Sequence, residues 1–248
     1  MSSVLMVLTG AKVWTMKDGT THSTGFWAEE FIVPHQKFTA AGLKVTVATP
    51  GGVTPVVDEL SLSLGYNGND AGKVASQQAY LEQQGGLLGA TARLEDVRPT
   101  SFDVVFIVGG HGPMQDLAVD PSIGSFLTAM LDDPGKIVAS VCHGPASFLS
   151  AHRPDGRWLF KGRELTGFTN EEETQATFAG NAPWLLEDRL RLAGAKFDAS
   201  PAWSSHVVVD GNLITGQNQV SADAAAEAVL KQLRARALNL HQRKETNP

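Results

Sequence analysis

"KIVASVCHGPASFL", residues 136–149, decides how the rest of the chain is read. Ile137-Val138-Ala139-Ser140-Val141 is apolar and β-branched without polar alternation, the pattern of a strand buried on both faces of a parallel sheet. Cys142, the only cysteine, follows at once, and His143-Gly144-Pro145 lead into small residues that open a helix. A strand, a Cys, a Gly two positions on and a helix describe a nucleophile elbow, a strained turn that presents its side chain beyond the sheet. A free Cys at a strand end is otherwise a small buried hydrophobe. Here Ser140, Gly144 and Ala146 are small enough to keep the bend free of clashes, which favours the nucleophile.

Working outward, three more unalternating apolar runs occupy 3–9, 43–49 and 103–110. Helical patterns separate them. Residues 27–41 place Trp27, Phe31 and Phe38 near one face and stop before Gly42, while Pro34 predicts a kink or an early break. A second helix is expected over 121–133, entered through Pro121. The alternation predicts an α/β fold, a wound and mostly parallel sheet with helices on both faces. Sites in such sheets lie beyond the carboxyl ends of the strands, where Gly109-Gly110-His111-Gly112 and Cys142-His143-Gly144 both fall.

The remainder is less regular. Residues 51–100 read as loops around one helix near 73–84. Residues 157–168 read as a hairpin turning at Lys161-Gly162, and 206–216 as a stronger hairpin around Asp210-Gly211. Ser221 is expected to cap an Ala-rich helix to about residue 237. Residues 1–238 thus form one domain, and 239–248 read as a disordered tail.

Composition narrows the function classes. The net charge of −6 over 248 residues carries no basic stripe, which argues against nucleic acid. One cysteine excludes disulfides within the chain and cysteine-based metal clusters. No apolar run approaches the roughly 20 residues of a membrane span. "SVLMVLTG" is short, lacks a basic flank and reads as a strand rather than a leader, so a reducing compartment, the cytoplasm, is expected. His22, His35, His152, His206 and His241 show no ligand spacing among themselves, and neither metal nor cofactor is expected.

A helix starting just after Cys142 would aim its N-terminal dipole at the sulfur and lower the thiol pKa. The backbone N–H groups of His143 and Gly110 are candidate oxyanion donors. With these residues in place, "VCHGP" (141–145), "GGHGPMQDL" (109–117), "TGFWAEE" (24–30) and "TGFTNEEE" (166–173) together resemble the ThiJ/PfpI superfamily. The match is nearest its larger branch of glyoxalase III and heat-shock chaperone-like proteins, and runs in order from about residue 3 to 235. The resemblance implies a flavodoxin-like, class I glutamine amidotransferase-like fold and a homodimer. It also implies an acid beside the cysteine, placed by spacing at Glu30 with Glu29 a solvated neighbour. A further acid orients the histidine, here Glu173 or, alternatively, Glu172. His111 and Trp27 are candidates to line the pocket.

Ser140 breaks the amidotransferase pattern Gly-x-Cys-x-Gly at its first position, so a glutaminase is not expected. The leading expectation is a cofactor-independent enzyme that converts 2-oxoaldehydes such as methylglyoxal to 2-hydroxy acids through Cys142, His143, Glu30 and Glu173. A cysteine peptidase or amidase using Cys142–His143–Glu173 is the alternative enzyme. A stress-response holdase or redox sensor, exploiting an oxidisable low-pKa thiol, is the alternative from outside catalysis.

Overall fold

The computed structural model describes the backbone of residues 2–245 and the side chains of residues 2–238. In chain order the strands are β1 (Ser3–Val7), β2 (Val13–Thr15), β3 (Thr21–Ser23), β4 (Lys44–Thr49), β5 (Ala92–Arg93), β6 (Val104–Ile107), β7 (Ile137–Val141), β8 (Glu164–Leu165), β9 (Lys196–Phe197), β10 (Val207–Asp210) and β11 (Leu213–Gly216). The α-helices are α1 (Ala28–Ala40), α2 (Ala71–Gln83), α3 (Gly85–Gly89), α4 (Gly112–Gln115), α5 (Pro121–Asp132), α6 (Asn170–Gln175), α7 (Leu186–Ala193) and α8 (Ala222–Glu245).

The central sheet runs β10-β11-β7-β6-β1-β4-β5, with every pair parallel except β10 against β11. Its three middle strands explain the missing alternation: Val4–Val7, Val104–Ile107 and Ile137–Val141 are buried at every position. The five long parallel strands follow the flavodoxin order, so the direction in which strands are added across the sheet reverses between β1 and β6. Right-handed crossovers on the two sides of that reversal place α1 and α5 on opposite faces. Helix α8 returns to pack on α1. The carboxyl ends of β1, β6 and β7 then open onto one crevice beside the reversal.

Several local expectations change in the folded chain. Helix α1 carries Pro34 through to Ala40; the missing N–H leaves only the Glu30 carbonyl without its helical partner, and Pro34 is buried within the packed helix. The turn at Lys161-Gly162 is present, with Gly162 at φ +79°, but its arms do not pair. Instead β8 pairs in parallel with β9, thirty-odd residues on, because Trp158 and Phe160 turn into the core against Phe148. The second hairpin forms, its loop being Gly211-Asn212 because Asp210 pairs with Leu213. Ser221 directly precedes α8, yet its hydroxyl accepts from His206 N–H at 3.1 Å and donates to Asn218. Helix α8 continues past 237 to Glu245, since no Gly or Pro interrupts 238–245; the end of the expected tail, 246–248, lies outside the described residues.

Candidate active site

Cys142 leaves β7 with φ +58°, a left-handed conformation that costs a non-glycine residue about 1–2 kcal/mol. Its two backbone groups hold it there. The Cys142 N–H donates to the Gly216 carbonyl at 2.9 Å, and the Cys142 carbonyl accepts from Phe168 N–H at 2.9 Å. Gly144 leaves no room for a side chain, because a Cβ there would overlap the Ser140 hydroxyl. The chain then enters a 3₁₀ segment, Gly144–Ser150, rather than an α-helix.

That difference matters for the sulfur. A short 3₁₀ turn carries little of the dipole an α-helix would bring, and Cys142 is buried. Burial first, and then the carboxyl of Glu30, push the thiol well above its usual range; only the Gly110 N–H works in the other direction. The low-pKa thiolate expected from the elbow pattern is therefore corrected to a protonated resting thiol.

Glu30 is in the first turn of α1 and wholly buried. Its Oε2 accepts from Gly109 N–H at 2.8 Å, while Oε1 has no hydrogen-bond partner among the described residues. Desolvation raises its pKa to about 8, against the opposing pull of Cys142 and the Gly109 amide. Glu29 turns away and pairs with Lys73 of α2 at 3.0 Å. The start of α1 is fixed from two sides: Trp27 N–H donates to the Gly109 carbonyl at 3.1 Å, and Ala28 N–H donates to the Ser61 hydroxyl at 3.1 Å. Gly109 and Gly110 must be glycines. A Cβ on Gly109 would fall between Glu30 and Cys142, and one on Gly110, at φ +95°, would overlap the Gly25 carbonyl.

On the other side of the sulfur, His143 Nδ1 lies 3.3 Å from Sγ and Nε2 lies 2.7 Å from Glu173 Oε2. The ring order fixes the tautomer: Nε2–H donates to the carboxylate and Nδ1 offers its lone pair to the thiol. Burial, then repulsion from His111, lowers the His143 pKa, so the ring is neutral at rest. Glu173 Oε1 also accepts from His111 Nε2 at 2.8 Å. Burial opposes charge on Glu173, yet His143 and His111 hold it ionised far below the usual carboxylate range. His111 is stacked on Trp14, ring centroids 4.7 Å apart.

Glu172 has a different task. It completes a capping box with Thr169 at the start of α6, and its Oε1 accepts from Trp203 N–H, Gln217 Nε2 and Asn218 Nδ2. Substituting the two neighbours separates the roles. Glu173→Gln should lower turnover by about 10²- to 10⁴-fold with little change in melting temperature. Glu172→Gln should do the reverse, costing about 1–3 kcal/mol of stability while His143 keeps its carboxylate. Thermal melts and turnover on the same preparations check both.

All seven residues expected at the site come together here: Cys142, His143, Glu30, Glu173, Gly110, His111 and Trp27. The Gly110 N–H points at the Cys142 sulfur, and neither it nor the His143 N–H donates to a backbone carbonyl in the loops around the site. The pocket over the sulfur also has walls that the sequence did not announce, above all Tyr66, Phe178 and Trp203. Its free volume is about 20 Å³, one or two water positions. Among the described residues two groups of side chains could hold an ion, His111–His143–Glu173 and His22–Asp58–His111. The first is already committed to the hydrogen bonds described.

Comparison with known proteins places the chain among recognisable relatives. The family model described as "DJ-1/PfpI family" matches residues 21–232. Glyoxalase 3 of Candida albicans is 28% identical over 236 residues, covering 93% of this chain and 98% of that one. Glutathione-independent glyoxalase HSP31 of Saccharomyces cerevisiae is 28% identical, covering 90% and 94%. The crystal structure of glyoxalase III from Candida albicans superposes with a TM-score of 0.76 at 25% identity, covering 93% of this chain and 96% of that one.

Proposed function

The chain belongs to the DJ-1/PfpI family, and from that premise we propose that it is a glutathione-independent glyoxalase, converting 2-oxoaldehydes such as methylglyoxal to 2-hydroxy acids. Relatives bearing that activity in their names match over most of the chain. The observation that carries the reading is the Glu30–Cys142 contact. Hydrolysis needs only the thiol, His143 and Glu173, whereas moving a proton between adjacent carbons needs a further base at the sulfur-bound carbon. Glu30, buried, with one unpartnered oxygen and a pKa of about 8, fits that task.

The steps follow from the atoms at hand. The thiol proton passes to His143 Nδ1 as sulfur bonds to the aldehyde carbon, and the carbonyl electron pair moves onto oxygen. Gly110 and His143 N–H groups hold that oxyanion, which then takes the proton back from His143 to give a hemithioacetal. Ionised Glu30 removes the C–H proton from this carbon, giving an enediolate, and the hydroxyl proton on the sulfur-bound carbon passes to the neighbouring oxygen. Glu30 returns its proton to the neighbouring carbon, leaving a thioester of the 2-hydroxy acid. One carbon is oxidised and its neighbour reduced, so no external oxidant or reductant enters. Water deprotonated by His143 attacks the thioester, releasing the acid and the thiol. Overall, methylglyoxal and water give lactate.

The pocket's small size supports small substrates, since a peptide needs an open groove where Trp27, Tyr66 and Trp203 stand. The same premise favours a homodimer in the cytoplasm, and sedimentation tests the assembly. The deciding experiment measures turnover of glyoxal, methylglyoxal, phenylglyoxal and peptide amides under one set of conditions. The small aldehydes are expected to react fastest, with phenylglyoxal slower and amides inert. Amide cleavage exceeding aldehyde turnover would replace this reading with the hydrolase.

A further inference from the structure

We propose that His22, Asp58 and His111 form a binding site for a divalent first-row transition ion, zinc in the first instance, set against the active-site histidine pair. The three residues come from distant segments: His22 from β3, Asp58 from the loop that covers the start of α1, and His111 from the loop after β6. One donor atom from each lies within 4.8 Å of the other two. With bonds of about 2.0–2.1 Å, donors on a tetrahedral ion stand roughly 3.4 Å apart, so the three would close in by about an ångström.

Each donor is prepared. His22 Nε2 is buried and has no hydrogen-bond partner, a cost that an ion would remove. Asp58 is buried, and both its oxygens are oriented, Oδ2 by the Thr24 hydroxyl at 2.9 Å and Oδ1 by Leu60 N–H at 3.0 Å. His111 donates from Nε2 to Glu173 at 2.8 Å, so the lone pair for a metal falls to Nδ1. That is the carboxylate–histidine–metal arrangement in which an outer acid fixes ring and tautomer. Trp14 and Phe178 hold the rings from their outer faces.

The donor chemistry chooses the ion. Two imidazoles and one carboxylate suit zinc, cobalt, nickel or ferrous iron and disfavour the oxygen-seeking calcium and magnesium. Entry is available, because His22 and Asp58 also line an open cleft bounded by Lys12 and Glu59. Sequence spacing could not reveal this grouping, since 89 positions separate His22 from His111.

Occupancy has a consequence for turnover, and this clause alone rests on the glyoxalase reading. A dication on His111 adds positive charge beside Glu173 and His143, which disfavours the imidazolium that must form when the thiol gives up its proton. Zinc at this site would therefore slow catalysis by the pair it touches, without being part of the reaction.

The test uses the full chain, stripped of metal with chelator and titrated with cobalt(II) as the spectroscopic probe. Wild type should take one ion per chain, with intense visible d–d absorption that zinc then displaces. His22→Ala should weaken binding by about 100-fold or more. Asp58→Asn, which keeps the Leu60 and Thr24 contacts, should weaken it similarly and guards against a folding defect in the first variant. Absence of stoichiometric binding by folded wild type overturns the site. So does wild-type affinity in both variants, or binding that survives His22→Ala and is lost in His143→Ala. Cobalt bound as expected in a protein that turns over no aldehyde would leave the metal site standing and refute the glyoxalase.

Discussion

Cys142→Ala is expected to fold like the wild type and to form no 2-hydroxy acid, a loss on the order of 10⁴-fold or more. Both backbone bonds that shape the elbow, to Gly216 and Phe168, involve main-chain atoms and survive the change. Alanine keeps the Cβ that the turn already accommodates at φ +58° and removes only the sulfur. Without sulfur no hemithioacetal forms, and neither Glu30 nor His143 has an attached carbon on which to act. Cys142→Ser keeps a hydroxyl in place of the thiol. It should recover little, because a hydroxyl is the weaker nucleophile and His143 must then ionise a far less acidic group. Circular dichroism beside a lactate assay separates lost chemistry from lost fold. Turnover by the alanine variant within tenfold of wild type would remove the cysteine from the mechanism.

Glu30→Gln should lower turnover by about 10²- to 10⁴-fold and alter the pH profile as well. A general base must be ionised to act, and burial holds Glu30 protonated up to about pH 8. Wild-type turnover should accordingly rise with pH through that region and level off above it. The residual rate of Glu30→Gln should lack this rise. Stability shifts the other way. The folded pKa of about 8 exceeds the ordinary value of 4.5, so the folded protein keeps a proton that the unfolded chain releases between those values. The proton's contribution is full below pH 4.5 and is lost as pH climbs through 8, a penalty on the order of 5 kcal/mol. Glutamine accepts from Gly109 N–H and carries no such penalty. The variant should therefore match or fall below wild type in acid and melt at a higher temperature than wild type above pH 8. A site residue that destabilises its own fold is the expected trade for a base poised near neutrality.

How much of this was legible in the sequence depends on how local the cause is. The buried strands were, because two-sided burial demands unbroken Val and Ile, and Val4–Val7 and Ile137–Val141 show it. The elbow was too, since its geometry needs small residues at fixed offsets around Cys142. Glu173 and Glu172 looked equivalent as members of one acidic run. A readable signal nevertheless distinguishes them: Thr169-Asn170-Glu171-Glu172 is the capping-box spacing, which commits Glu172 to the helix start and leaves Glu173 for the histidines.

What stayed hidden was set by distant segments. The thiol pKa depends on how completely Tyr66, Phe178 and Trp203 roof the sulfur, and those residues come from stretches with no motif of their own. The segment over 157–168 looked like a hairpin because a turn between apolar arms resembles one, but its partner strand begins at Lys196. Pairing at that separation leaves no local trace. The loop over 51–100, irregular as sequence, supplies Ser61 to the first turn of α1 and Tyr66 to the pocket. It thereby helps fix Glu30.

The measurement that tests the central claim most directly is lactate formation from methylglyoxal by chelator-treated protein, free of glutathione, with Cys142 verified as a reduced thiol. The account predicts sustained turnover to lactate under these conditions, dependent on the protein and on nothing added to it. A fully reduced, folded protein that consumes no methylglyoxal, or consumes it only when glutathione is supplied, would contradict the account.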